Sequence, residues 1–462
     1  MVDESYISRI VEGVIKEIDK GASGKKQKGV FDTMTEALEA VQKAYKEYRN
    51  YTVAQREEMI SNIRKLIMQE ADEMARLGVE ETGMGRVADK VIKHQLVAKK
   101  TPGTEDLQPH VITGDDGLTL IEMAPFGVIG SITPSTNPSE TVLCNSIGMI
   151  AGGNAVVFNP HPNAKLTANY AVDLVNRAIL EAGGPENLVV SVKNPTMDTS
   201  NEMMKCPAVR MLVATGGPGV VKTLLSSGKK AIGAGAGNPP VIVDDTADIE
   251  KAAEDIVNGA SFDNNLPCIA EKECFVFNSV ADELISNMTK HGAYLIKGSD
   301  IDKLLDVALI NKDGKYVINK KWVGKDASKF LKAIGIDADP KLIICETDEM
   351  HPFVQTEMMM PILAIVRVND FDEAVKMAVN AEHGCRHSAH IHSKNVDRLT
   401  KFARAVETTI FVKNAPSYAG IGAGGEGHTT FTIAGPTGEG LTSARSFTRQ
   451  RRCVMADGLH IV

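Results

Sequence analysis

Residues 1–18 place their large apolar side chains on one face of a predicted helix. Their spacing follows i, i+3, i+4, i+7, i+8 and i+11, and polar residues fill the opposite face. The apolar stripe consists of Ile7, Ile10, Val11, Val14, Ile15 and Ile18. Residues 19–29 form a polar, glycine-rich linker. Because a short tethered helix cannot bury its stripe alone, the pattern predicts docking on this protein or another subunit, or else a separate docking peptide.

The body of the chain changes from a helical pattern to alternating strands and helices. Residues 31–100 carry apolar positions at helical spacing. Short strand-like runs then occur at residues 155–159, 188–192 and 209–215, with a helix predicted over 164–182 and further α/β structure over 270–409. Alternation of this kind indicates βαβ units and a parallel sheet.

The chain from Asn414 onward is first rich in glycine and then in arginine. Long loops inside compact domains are usually functional or interfacial. We therefore expect the basic run, residues 445–452, to form a solvated or subunit face. A nearby site for a phosphorylated ligand is the alternative.

Composition places the chain among soluble globular proteins. Its 462 residues are enough for two or three domains, and 43% are hydrophobic and 24% charged. The net charge of -8 gives no support for binding nucleic acid or anionic membranes. The seven cysteines include no C-x-x-C pair, and no apolar run approaches the roughly 20 residues of a membrane span. The sequence thus predicts a cytoplasmic protein.

Two glycine clusters could approach a phosphate. The first follows the strand at residues 209–215 and precedes a helix, but Lys222 stands where a third glycine would complete the dinucleotide motif. An ordinary glycine-bearing turn explains it about as well. The second cluster, residues 233–238, could be a phosphate loop, and we favour a crossover between domains.

Cys268 is the candidate nucleophile among the cysteines. It follows Pro267, where a polar, turn-prone run breaks, and a thiol at such a break can be shifted toward the thiolate. Cys274, Cys345 and Cys453 lie in apolar or basic runs and are predicted to be buried and inert.

A histidine-rich segment, residues 382–392, suggests a metal site at first sight. Its spacing matches no zinc pattern, and strand alternation would direct His387 and His390 to opposite faces. We predict no metal here, although His387 could line a ligand cavity.

Residues 132–164, with the loop Pro134-Ser135-Thr136-Asn137-Pro138, resemble the aldehyde dehydrogenase superfamily. The resemblance extends from about residue 31 to the C-terminus. It implies that Cys268 is the nucleophile and that Asn137 donates to the oxyanion, with Thr136 as the alternative donor. It also implies a set of contacts to a nicotinamide cofactor, NAD. These are Thr133, Pro134, Thr136, Asn159, His161, Thr215, Gly216, Gly217, Gly233 and Glu357.

The same resemblance implies an α/β, aldehyde dehydrogenase-like fold. It has a Rossmann-type cofactor domain, an α/β catalytic domain and a small β extension for oligomerisation. The expected boundaries are 30–106 with 125–236 for the cofactor domain, 237–425 for the catalytic domain, and 107–124 with 426–462 for the oligomerisation segments.

Gly233 is the most informative departure from the superfamily. Hydrolytic members carry a glutamate there, which activates the water that cleaves the thioester. Without that base a better nucleophile is needed, and the thiol of coenzyme A meets the need. The chain thus resembles the CoA-acylating branch, whose substrates are short aldehydes; the sequence does not separate propanal from acetaldehyde. Alternatives are a hydrolytic aldehyde dehydrogenase, an acyl-phosphate reductase, or an inactive cargo or scaffold protein.

Within that branch the chain resembles enzymes of bacterial microcompartments. Their N-terminal amphipathic helix and linker direct them into the shell, and residues 1–18 match this feature in position and length. The resemblance therefore implies shell proteins as partners, a location in the microcompartment lumen and a homo-oligomer, either dimer or tetramer.

Overall fold

The structure, a computed structural model, describes residues 27–461. The predicted N-terminal helix, residues 1–18, and nearly all of its linker lie outside the described residues. The strands are β1 (Val30–Phe31), β2 (His110–Gly114), β3 (Gly117–Pro125), β4 (Val128–Thr133), β5 (Ala155–Pro160), β6 (Val189–Val192), β7 (Val209–Thr215), β8 (Lys230–Ala234), β9 (Pro240–Val243), β10 (Glu273–Phe277), β11 (Ala293–Ile296), β12 (Leu309–Lys312), β13 (Lys315–Ile318), β14 (Leu342–Glu346), β15 (Ile362–Val368), β16 (Ser388–His392), β17 (Ile410–Lys413), β18 (Ile433–Ala434), β19 (Gly440–Leu441) and β20 (Thr448–Ala456).

The helices follow the predicted alternation with the strands. They are α1 (Met34–Tyr48), α2 (Val53–Thr82), α3 (Val87–Lys100), α4 (Pro138–Ala151), α5 (Lys165–Glu181), α6 (Met197–Lys205), α7 (Pro218–Leu225), α8 (Ile249–Ser261), α9 (Asn278–Lys290), α10 (Ser299–Ala308), α11 (Ala327–Ala333), α12 (Pro352–Gln355), α13 (Phe371–Glu382) and α14 (Val396–Val406). In the part of the chain that the structure describes, no helix has the length and apolar character needed to cross a membrane.

The first sheet is parallel, with the strand order β1-β6-β5-β4-β7-β8. The predicted strands at 155–159, 188–192 and 209–215 are confirmed as β5, β6 and β7 within one residue. The chain progresses in one direction from β4 to β6 and then returns to add β7 beside β4. In doubly wound sheets, ligands bind outside the carboxyl ends of the strands at such a reversal.

The second sheet is also parallel, with the order β11-β14-β15-β10-β9-β16-β17. Residues 235–239 connect β8 of the first sheet to β9 of the second. The second glycine cluster is therefore the crossover that the sequence favoured. Both sheets have helices packed against them and are buried, which is the usual setting for parallel strands. The α/β architecture predicted from the sequence is confirmed.

A third, antiparallel sheet contains β2, β3 and β20. The basic run lies mostly on β20, whose residues after Thr448 are exposed, in agreement with a solvated or subunit face. The prediction that Cys453 is buried is wrong, because among residues 27–461 β20 pairs with β3 alone and its side chains after Thr448 are exposed. Cys274 and Cys345 are buried as predicted.

Candidate active site

Four adjacent strands of the second sheet bring the candidate residues together at their amino ends. The strand order β15-β10-β9-β16 places side by side the segments that precede each strand, and these contain Glu357, Cys268, Gly237 and His387. The backbone N–H of Gly237 donates to Glu357. A methyl group on Gly237 would lie 2.8 Å from the ring of His387 and 3.1 Å from the carbonyl oxygen of Cys268. These residues, distant in sequence, form one compact site.

The loop before Cys268 has an unusual backbone that its own side chains hold in place. Asp263, Asn264 and Asn265 all adopt positive φ, between 48° and 65°, a region in which asparagine and aspartate are tolerated better than most residues. The Asn265 amide donates to the carbonyls of Ala260 (2.7 Å) and Glu271 (3.0 Å). The loop therefore presents its cysteine from a fixed frame rather than from a flexible turn.

Lys272 and His390 hold the other side of the nucleophile loop. The Lys272 ammonium is buried and donates to the Asn265 side chain at 2.5 Å and to its carbonyl at 3.0 Å. The ring Nε2 of His390 lies 2.9 Å from the carbonyl of Ile269 and donates to it. The sequence analysis assigned neither residue to the site, since each reaches the loop only through the folded second sheet.

The electrostatic environment of Cys268 differs from the expectation. Burial and the nearby Glu357 carboxylate raise the pKa of the thiol to about 12, although Lys272 and the Cys268 backbone N–H act in the opposite direction. The predicted shift toward thiolate is thus wrong for the protein without ligands. Burial favours the neutral thiol, because the charged form loses its hydration.

This environment predicts how Cys268 reacts with iodoacetamide. Only the thiolate reacts, so with a pKa of about 12 the alkylation rate should rise roughly tenfold per pH unit across about pH 7 to 9. The Glu357→Gln variant removes a negative charge that disfavours the thiolate, and should therefore react faster at a given pH. Mass spectrometry can follow Cys268 separately from the exposed Cys453. A plateau in the Cys268 rate below pH 9 would contradict the assignment.

Asn137 is the N-cap residue of α4, but its side chain makes no capping hydrogen bond. Its Oδ1 instead accepts from the ammonium of Lys93 at 2.6 Å, and its Nδ2 lies 3.4 Å from Thr136 Oγ1. Lys93 also contacts Glu140 and Asp263, the latter five residues before the nucleophile. The structure thus links the candidate oxyanion loop to the nucleophile loop through one buried lysine.

The sequence analysis missed this lysine cluster. Lys90 and Lys93 are buried on α3, where a charged residue usually marks a solvated face. The sequence did contain an indication of their burial, because Lys90, Lys93 and the buried Val97 are spaced i, i+3 and i+7 and so lie on one face of the helix. Lysines in phase with a core position indicate buried ion pairs.

All the candidate cofactor contacts except Glu357 lie at or just after the carboxyl ends of strands in the first sheet. Thr133 ends β4, Thr215 ends β7, and Gly216 and Gly217 precede α7. A methyl group on Gly216 or Gly217 would meet no atom within 4 Å, so a dinucleotide phosphate could approach the backbone there. These positions fit a nicotinamide dinucleotide.

A cleft of about 720 Å³ lies between α7 and the segment before β16. Its lining includes Lys222 and Leu225 from α7, Gly235 and Ala236 from the crossover, and Arg386 from the second sheet. Lys222, noted above for interrupting a glycine motif, therefore faces the cleft with Arg386. Two cations on its wall favour an anionic ligand.

Gly233 occupies a position with little space for a side chain. A methyl group there would lie 2.6 Å from Val221 Cγ1, and the backbone N–H donates to Thr437 Oγ1 at 3.2 Å. A side chain at this position would therefore require the Val221 side chain to move. The glycine supplies no carboxylate here, and its surroundings are packed around a residue without a side chain.

Asn159 and His161 lie at the end of β5 and in the turn that follows. The Asn159 side chain is buried, accepts from Thr199 Oγ1 at 2.6 Å and lies 3.4 Å from the Thr196 carbonyl. If this amide also bound a cofactor ribose, the ribose would compete with Thr196 and Thr199 for its hydrogen bonds. His161 is exposed and accepts from the Asn163 N–H. The contacts of both residues with the cofactor stay predictions.

His387, His390 and His392 are all buried, and burial lowers the pKa of each to between about 3 and 4. They are therefore neutral at physiological pH. His387 Nδ1 lies 2.6 Å from Ser388 Oγ, whereas its Nε2 has no hydrogen-bond partner in the described range 27–461. Within that range, no group of three or more His, Cys, Asp or Glu residues could hold a metal ion.

Comparisons with known proteins agree with this geometry. Residues 13–442 match the aldehyde dehydrogenase family. The chain is 48% identical to the acetylating acetaldehyde dehydrogenase EutE of Salmonella typhimurium, over 100% of both chains. A solved propionaldehyde dehydrogenase from the fucose utilisation bacterial microcompartment of Clostridium phytofermentans is 57% identical, with a TM-score of 0.92 over 94% of this chain and 100% of that chain.

A further solved relative carries ligands. The propionaldehyde dehydrogenase of Rhodopseudomonas palustris, with bound CoA and an acylated cysteine, is 54% identical, with a TM-score of 0.92 over 94% of this chain and 99% of that chain. Together with the family match and the full-length identity, these relatives show that this chain belongs to the CoA-acylating branch of the aldehyde dehydrogenase family.

Proposed function

We propose that the protein oxidises a short aldehyde, propanal or acetaldehyde, with NAD⁺ and coenzyme A to acyl-CoA and NADH. The observation that carries this proposal is Gly233. A glycine at this position supplies no carboxylate to activate water, and a side chain there would require Val221 to move. An acyl group on Cys268 therefore needs an acceptor that requires no water-activating base, and a thiol is such an acceptor.

The first half of the reaction takes place on the sulfur of Cys268. The thiol first gives its proton to solvent. The thiolate then adds to the aldehyde carbon, and the carbonyl electron pair moves to oxygen. The backbone N–H of Cys268 and the Nδ2 of Asn137 donate to the resulting oxyanion. As the C=O bond reforms, the carbon loses hydride and becomes a thioester. When bound, the nicotinamide cofactor supplies the hydride acceptor.

The second half transfers the acyl group between two sulfur atoms. The thiolate of coenzyme A adds to the thioester carbon, the C–S bond to Cys268 breaks, and the cysteine leaves as a thiolate. We propose that CoA uses the cleft beside α7 after NADH has left, which gives ping-pong kinetics. The Rhodopseudomonas palustris relative contains bound CoA together with an acylated cysteine, which supports transfer of the acyl group between cysteine and CoA.

The remaining candidate residues are assigned to the cofactor. We propose that Gly216 and Gly217 admit the pyrophosphate and that Glu357 binds the nicotinamide ribose. We propose that the remaining positions also line the cofactor site, because they lie at or next to the ends of strands in the first sheet. They are Thr133, Pro134, Thr136, Asn159, His161, Thr215 and Gly233.

Product analysis tests the proposed function. With aldehyde, NAD⁺ and CoA, we expect acyl-CoA and NADH in equal amounts, and almost no sustained NADH formation when CoA is omitted. Free carboxylic acid formed at an equal rate without CoA would establish the hydrolytic alternative. Faster acyl transfer to inorganic phosphate than to CoA would establish the acyl-phosphate alternative.

We further propose that the protein forms a homo-oligomer through the sheet β2-β3-β20. The exposed side chains of β20 support this proposal.

We also propose that residues 1–18 direct the protein into a microcompartment lumen. The microcompartment origin of a relative supports this proposal. Deleting residues 1–18 should leave kcat/KM unchanged and abolish co-purification with shell proteins. Unchanged encapsulation after the deletion would exclude the targeting role.

A further inference from the structure

We propose that Lys93 is a positioning residue that orients the Asn137 amide so that its NH₂ group faces the reaction oxyanion. The inference rests on the proposed function, in which Asn137 stabilises that oxyanion. Lys93 itself does not touch the substrate and would act only through Asn137.

The chemistry of the contact fixes the orientation of the amide. A lysine ammonium has three donors and no acceptor, so only the oxygen of an amide can face it. The Lys93 Nζ–Asn137 Oδ1 distance is 2.6 Å, short for a hydrogen bond to a charged donor. The Nδ2 atom must then point the other way. Its contact with Thr136 Oγ1, at 3.4 Å, is too long to hold it firmly.

The position of Asn137 in the fold supports the same assignment. Asparagine at a helix N-cap ordinarily uses its side-chain oxygen to accept from the N–H groups of the first turn. At the start of α4 no such bond is formed, and Lys93 takes the oxygen instead. The contact with Lys93 thus replaces the usual capping hydrogen bond and leaves the Nδ2 group of Asn137 available as a donor.

Lys93 is itself fixed in three directions. Its ammonium contacts Asn137 Oδ1 at 2.6 Å, Asp263 Oδ2 at 2.6 Å and Glu140 Oε1 at 2.8 Å, one acceptor for each of its N–H bonds. The Lys93 side chain is fully buried. Burial opposes the charge on Lys93, but Asp263 and Glu140 outweigh it and hold the pKa above its ordinary value.

Asp263 extends this network to the nucleophile. It belongs to the positive-φ loop that leads to Cys268, and its Oδ1 accepts from the backbone N–H of Arg86. The Lys93 ammonium thus contacts both the candidate oxyanion donor and the loop that carries Cys268, and holds the two in a fixed relative position. Preorganisation of this kind is what makes an oxyanion hole effective.

Single-turnover formation of NADH without CoA measures the step at issue. Removing one oxyanion donor typically lowers a rate about 10²- to 10³-fold. We expect Asn137→Ala and Lys93→Met each to slow this step by about 10²-fold, with unchanged NAD⁺ affinity. The double variant should be little slower than Asn137→Ala, because both changes disable the same donor.

Controls separate positioning from stability. Lys90→Met is the matched variant, because Lys90 also pairs with Asp263, at 3.1 Å, but its contact with the loop is to the Thr136 carbonyl, at 3.4 Å, and not to the Asn137 side chain. It should slow the step less than about tenfold. Lys93→Met leaves the buried Glu140 carboxylate without its partner. If that variant does not fold, the double variant Lys93→Met with Glu140→Gln removes this charge, and its rate is measured instead. Asn137→Asp keeps the Lys93 contact while removing the NH₂ donor, and should fold and lose about 10²-fold in rate.

Several results would overturn the inference. These are an unchanged rate in Lys93→Met or in Asn137→Asp, additive losses in the double variant, or an equal loss in Lys90→Met. None of them would affect the proposed overall reaction, which fails if the wild-type protein does not convert aldehyde, NAD⁺ and CoA to acyl-CoA and NADH.

Discussion

The Cys268→Ala variant is expected to lose aldehyde-dependent NADH formation by on the order of 10⁴-fold or more. The reason is that no acyl-enzyme can form without the sulfur, and a methyl group cannot replace it. Because alanine preserves the loop, NAD⁺ should bind with the affinity of the wild-type protein. Rates of NADH formation and a fluorescence titration of cofactor binding give the two measurements.

The matched control for this variant is Cys453→Ala. Cys453 is an exposed thiol on β20, which belongs to the third sheet and not to the second sheet that carries Cys268. Its replacement should leave kcat and KM unchanged. Residual activity of more than a few per cent in Cys268→Ala, with normal CoA dependence, would show that another group accepts the acyl chain.

The Asp263→Ala variant is expected to show the largest loss of stability, about 3–5 kcal/mol in the free energy of unfolding. Asp263 is fully buried and pairs with both Lys93, at 2.6 Å, and Lys90, at 3.1 Å. Its removal leaves two ammonium groups in the interior with one fewer counter-charge. Removing one partner of a buried pair is costly, because the remaining charge has lost its hydration without compensation.

Urea unfolding followed by circular dichroism measures this effect. The control is Asp245→Ala, which removes an exposed carboxylate paired with Arg398 and should change stability by less than about 1 kcal/mol. Equal midpoints for the two variants would contradict the assigned role of Asp263. The account also predicts a slower acylation step in Asp263→Ala, since Lys93 loses one of its three fixed acceptors.

The sequence was sufficient for the architecture because its periodicities are local. The strands β5, β6 and β7 are short, mostly apolar runs rich in valine, and each was placed within one residue. The sequence also proposes Cys268 as the nucleophile and Gly233 in place of the base, since both stand in motifs with a recognisable order, and these two roles stay predictions. These features depend on neighbours in the chain.

The features that escaped prediction depend on distant parts of the chain. The Lys93–Asn137 contact spans 44 residues and the Lys93–Asp263 contact 170, so no window of sequence contains either. The pKa of Cys268 depends on Glu357, which the fold brings close from another strand. Cys453 was misjudged because its neighbours in sequence do not reveal that β20 lies on an outer edge.

The central claim is that the acyl group on Cys268 passes to a thiol rather than to water. The most direct measurement forms the acyl-enzyme from aldehyde and NAD⁺ without CoA, removes NADH, and follows the acylated protein by mass spectrometry. We predict that the Cys268 thioester persists in buffer and is discharged to acyl-CoA at least about 10²-fold faster when CoA is added. Discharge to free acid at the same rate with and without CoA would contradict the account.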